Sequence, residues 1–79
     1  MTDAELDILT EEMDHVDLDL FDAERAGDAA GQARLLRERA GLWRRYGRLR
    51  ESAGRESTGA ELSAQRDEIT ARQLERGAR

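Results

Sequence analysis

Cysteine, proline and lysine are all absent from this 79-residue chain, and its aromatic side chains are one Trp, one Tyr and one Phe. Without cysteine there is no disulfide framework, thiolate zinc site or cysteine nucleophile, so nothing ties the chain to an oxidising compartment and a cytoplasmic setting is expected. Without lysine there is no Schiff-base chemistry, and all 13 basic groups are guanidinium forks suited to carboxylates or phosphates. The lack of proline leaves glycine-containing polar breaks to punctuate the chain. No apolar run approaches the length of a membrane span, and Asp3 and Glu5 follow Met1 where a signal peptide would be basic, then apolar.

What is present is charge. Asp and Glu number 18, and charged residues make up 39% of a chain with net charge −5. The charge is divided by segment: residues 1–24 carry −10, residues 25–50 carry +6 and residues 51–79 carry −1. An acidic block followed by a basic one is expected to fold back so that each neutralises the other. A domain this short buries only about 60% of its unfolded surface, so self-association or a partner is expected to supply further burial.

Hydrophobic spacing predicts an all-α fold, with an antiparallel hairpin of two long helices over residues 1–54 and a polar break with a shorter, marginal C-terminal helix or tail over 55–79, and a helical bundle formed by self-association is expected. Thr2 to Glu5 reads as a capping box, and Leu6, Leu9, Met13, Val16 and Leu20 then recur at spacings of three and four as a coiled-coil-type seam over a helix of about residues 3–25. Gly27 and Asp28 supply the turn and the next cap.

The second helix, about residues 29–53, carries two seams. One is Leu35, Leu42, Tyr46, Leu49 and Ala53, interrupted by Arg39; the other is Ala33, Leu36, Ala40, Trp43, Gly47, Arg50 and Gly54. The first faces helix 1, and the second needs helix 3 or another subunit. Its small residues at every seventh position permit close approach, a packing reason for Gly47; Gly31 and Gly41 otherwise only loosen the helix. Thr58 to Glu61 repeats the capping-box pattern, and helix 3, about residues 59–76, shows only Leu62 and Ile69 as large seam residues.

The candidate interaction surface is therefore Leu36, Ala40, Trp43, Gly47 and Arg50. Arg34, Arg37, Arg44, Arg45 and Arg48 form a basic face able to contact an anion or nucleic acid. Arg39 and Arg50, lying between the seams, are expected to pair with acids across helices, where Asp17 and Glu24 lie close to the helix 1 seam and Asp14 and Asp7 flank it. Ile8 and Leu18 fall on the outer faces of helix 1. Glu12 and His15 have the Glu-x-x-His spacing of di-iron bundles, but the chain holds no second His, and no metal site or other cofactor is expected.

No catalytic constellation is present, and the chain is not expected to be an enzyme. These features point to a small protein–protein interaction module, an adaptor, assembly or regulatory subunit, that binds a protein partner or a second copy. A nucleic-acid-binding regulator using the Arg face is the alternative, followed by a structural subunit of a larger assembly, for example of phage type.

Overall fold

Two glycines end helices in the same way. Gly27 and Gly54 adopt φ of +68° and +75°, the left-handed region that side-chain-free backbone enters without steric cost. Each donates to the carbonyl three residues back, and the residue after each donates five residues back: Gly27 to Glu24 and Asp28 to Ala23, then Gly54 to Glu51 and Arg55 to Arg50. Both turns are Schellman caps.

They separate three helices in the computed structural model, which describes residues 3–56 and 58–77: α1 (Asp3–Arg25), α2 (Ala29–Ser52) and α3 (Thr58–Gly77). No strand occurs among the described residues. Asp28 caps α2, its Oδ1 accepting the Gly31 N–H at 2.9 Å. A Cβ on Gly31 would stand 2.2 Å from Asp28 Oδ2, the far end of a side chain that can turn aside. Thr2, expected to cap α1, and the side chain of Thr58 lie outside the described residues.

The helix 1 seam is buried as its spacing predicts, with Leu9, Met13, Val16 and Leu20 all in the core. Val16 and Leu20 pack with Ala33, Leu35, Leu36 and Ala71, and Ala23, Leu42 and Leu74 close the edges of this cluster.

α3 differs from its sequence expectation. It is a 20-residue helix, and it packs on α2 more extensively than α1 does. Its buried stripe is Ala60, Ala64, Asp67 and Ala71, at spacings of four, three and four, while Leu62 and Ile69 are 60% and 53% exposed on the far side. The reason is the small residues expected on α2: Ala33, Ala40 and Gly47 are buried, and alanines on both helices let the backbones come together where large side chains would hold them apart.

α2 is the central element. The α1 and α3 backbones nowhere approach within 8 Å of each other among the described residues, so the helices lie side by side with overall extents of 43 × 20 × 12 Å. The radius of gyration is 13.6 Å, against about 12 Å for a rounder domain of this length. The result is a layer one helix thick, and both of its broad faces are open to solvent.

Candidate interaction surfaces

Which residues occupy the two broad faces follows from position around α2. At about 100° per residue, a helix that touches neighbours on opposite sides leaves two strips between them. One strip of α2 carries Arg34, Arg37, Gly41, Arg44, Arg45 and Arg48. The opposite strip carries Arg39, Trp43, Tyr46 and Arg50.

The interaction surface expected from the second seam is largely spent inside the chain. Leu36, Ala40 and Gly47 are buried against α3, because close packing of small residues covers the seam without a second subunit. Trp43 and Arg50 remain partly exposed on one broad face. Arg50 donates from Nε to the Glu56 carbonyl at 3.1 Å and from Nη1 to the Tyr46 hydroxyl at 3.1 Å, so it fastens the α2–α3 turn. Trp43 meets Tyr46 edge to face at 5.8 Å between ring centroids.

Arg39 joins all three helices. Its Nε and Nη2 donate to the two carboxylate oxygens of Asp67, each at 2.8 Å, and its Nη1 donates to Asp17 Oδ1 at 2.8 Å. Asp67 is only 5% exposed, at a core position of α3, and the bidentate fork satisfies it. That Arg39 pairs with an α1 acid was legible in the sequence, though not which of Asp17, Glu24, Asp14 and Asp7; Arg50, expected to do the same, bonds a carbonyl and a hydroxyl instead. Asp67 was missed, because an acid among alanines reads as a surface residue. Its signal was its place three residues after Ala64 and four before Ala71, on the stripe that must face α2.

On the other face the arginines are neutralised mainly by α3, and only secondarily by the acidic α1 expected to do so. Arg44 forks between Glu61, at 3.2 Å, and Glu68, at 2.7 Å, and Arg37 pairs with Glu75. α1 contributes Glu12, 3.7 Å from Arg45. Arg34 and Arg48 form no ion pair among the described residues. Apart from Glu12 and Asp17, the carboxylates of α1 whose side chains are described likewise form none, because the antiparallel stripe on α3 stands closer to the basic strip.

The hydrogen bonds from Arg44 hold the Glu68 carboxyl below its ordinary range, with smaller help from the charges of Arg72 and Arg37. Hydrogen bonds from the same carboxylates, first Glu68 and then Glu61, push the Arg44 guanidinium up. A carboxyl depressed on folding stabilises the fold above its unfolded pKa of about 4.3, and that contribution is lost as pH falls through the lower folded value. Arg44→Gln is therefore expected to raise the Glu68 titration midpoint, as followed by its carboxyl carbon NMR shift. An unchanged midpoint would show that the fork does not form in solution.

Two hollows matter most for binding. On the Trp43 face, α1 and α3 stand apart across α2 and leave a valley of about 430 Å³ with Met13, Trp43 and the Arg39–Asp67 pair in its floor, Thr10, Asp14 and Asp17 on the α1 bank, and Ser63 and Arg66 on the α3 bank. On the arginine face, a trough follows the α1–α2 junction, with Val16, Gly41 and Leu42 among its lining residues and Glu12, His15, Arg45 and Arg48 around them. Glu12 and His15 thus share a rim, while no group of three or more potential metal-ligating side chains gathers among the described residues. No helix among them is long and apolar enough to cross a membrane. No family model, curated protein or solved structure matches the chain, so its reading rests on these surfaces.

Proposed function

We propose that the chain is a small non-catalytic helical interaction module, an adaptor, assembly or regulatory subunit, that receives one helix of a partner protein in the valley over Trp43. The observation that carries this reading is the separation of α1 and α3, whose Cα atoms stay more than 8 Å apart across α2. It leaves a tryptophan partly exposed between two banks, with Met13 beside it and Tyr46 and Arg50 on the same strip of α2. Trp, Tyr and Arg are the residues that most often dominate binding energy when a partner desolvates them. Asp14 on one bank and Arg66 on the other, with Asp17 already engaged by Arg39, fit an amphipathic helix with a basic edge, an acidic edge and an apolar residue between.

The test places a photo-crosslinking side chain at Thr10 or Ser63 in the valley, and at Gln73 on the outer edge of α3, in the native source. One protein is expected to cross-link from the valley positions only. Its purified form is expected to bind the Trp43→Ala chain at least about tenfold more weakly, with helix content unchanged. Equal affinity of the wild-type and Trp43→Ala chains would overturn the reading. So would nucleic acid bound by the purified chain with an affinity that falls steeply with salt and is lost in the Arg34→Ala, Arg48→Ala double variant.

A further inference from the structure

We infer that the trough on the arginine face is a homodimer interface, and that its occupant is the same trough of a second copy. It consists of two hollows of about 350 and 680 Å³ that share Glu12, Arg45 and Arg48 and so run into one another. Leu9, Val16, Leu42 and Leu49 line it, with Ile8 left 58% exposed at one end. α3 leaves it uncovered because α3 packs on the other side of α2. Gly41 faces open space where a Cβ would stand, so a further helix can come close.

The charges select the occupant. The α1 wall carries Glu5 and Glu12, and the α2 wall carries Arg44, Arg45 and Arg48 with a single acid, Glu38, among them. Within one chain these walls hardly pair: Arg45 and Glu12 stand 3.7 Å apart, and Glu5 and Arg48 form no ion pair among the described residues. A two-fold axis parallel to the helices turns the layer over and lays each acidic wall on the basic wall of the other copy. Heights along the helices are unchanged by that rotation, so residues that face each other across the trough also face each other between copies. A two-fold perpendicular to the helices would instead set α1 on α1, acid against acid. The trough is therefore self-complementary in one arrangement, as an isologous contact requires. That arrangement is an antiparallel four-helix bundle of two hairpins, with an α3 at each flank.

The trough itself runs over residues 5–16 of α1 and 38–49 of α2, about 18 Å of each helix. A contact band about 10 Å wide that follows the 23- and 24-residue helices over their full length of about 35 Å buries about 700 Å² per copy, within the range of specific interfaces, so the dimer contact extends beyond the trough along both helices. The trough lies on the face opposite Trp43, so the dimer does not depend on the function proposed for the valley, and both sites can be filled together.

Sedimentation equilibrium of the full chain between about 1 and 100 µM tests the interface. The wild type is expected to dimerise, and the Arg45→Glu, Arg48→Glu double variant and the Glu5→Arg, Glu12→Arg double variant are each expected to dimerise at least about tenfold more weakly. An equimolar mixture of the two variants should recover the dimer, which a merely misfolded variant could not do. Ile8→Asp should weaken the dimer, while Leu18→Asp on the outer edge and Trp43→Ala in the valley should leave it intact. A monomeric wild type, variants that self-associate as the wild type does, a mixture of helical variants that stays monomeric, or a dimer lost with Trp43→Ala would each overturn the interface.

Discussion

Replacing Asp67 by alanine is expected to destabilise the fold by about 2–3 kcal/mol, more than any other single removal of an acid from this chain. The carboxylate is 5% exposed and takes both prongs of the Arg39 guanidinium, so its loss strands a cation at the junction of three helices. Removing one partner of a fully buried pair costs about 3–5 kcal/mol. The Arg39 side chain is 26% exposed and keeps Asp17, which lowers the figure.

Asp17→Ala is expected to cost no more than about 1 kcal/mol, since that carboxylate is 53% exposed and holds a single prong. The double variant Arg39→Leu, Asp67→Leu should recover most of the loss or exceed the wild type, because apolar groups of similar size need no partners. Urea unfolding at a fixed, dilute chain concentration separates these cases. Equal costs for Asp67→Ala and Asp17→Ala would mean that the bidentate pair does not hold α3 in register.

Ala64→Leu is expected to be comparably damaging, at about 3 kcal/mol, near the top of the usual range for overpacking. Ala64 is 0% exposed where α3 lies on the small-residue stripe of α2, and there is no room for three further carbon atoms. Accommodating them means moving α3 outward, which pulls Asp67 from Arg39 and Glu68 from Arg44 at the same time. Leu62→Ala, by contrast, is expected to change stability by no more than about 0.5 kcal/mol, because Leu62 is 60% exposed on the outer side of the helix. Thermal melts of the two variants check the contrast. A larger loss from Leu62→Ala than from Ala64→Leu would overturn the packing of α3 through its alanines.

That contrast also shows where the sequence is a poor guide. Large apolar residues at helical spacing locate the α1 seam, Leu9 to Leu20, because burying a big side chain is the strongest term available to a helix. The same rule applied to α3 selects Leu62 and Ile69 and points the helix the wrong way. Its contact is made by backbone, Cβ atoms and a charge fork, none of which registers as hydrophobic. The seam of α2 expected to bind a partner was correctly recognised as one needing cover, but Leu36, Ala40 and Gly47 found that cover in α3. What remained for partners was set by what α3 left open, namely the two broad faces.

The sequence by itself determined α1, α2 and the turns that end them. Gly27, Asp28 and Gly54 fix turns and caps through interactions reaching only a few residues, and 3.6-residue periodicity fixes which face of α1 is apolar. It also indicated that arginines of α2 would meet carboxylates, as Arg37, Arg39, Arg44 and Arg45 do. Only the tertiary structure decided which ones: α3 supplies Glu61, Asp67, Glu68 and Glu75, and most of α1 is left uncompensated. The physical reason is that ion pairing needs atoms within about 4 Å, and such distances depend on how closely two helices can approach. That approach is set jointly by small residues on both, a property of the pair that neither helix displays alone.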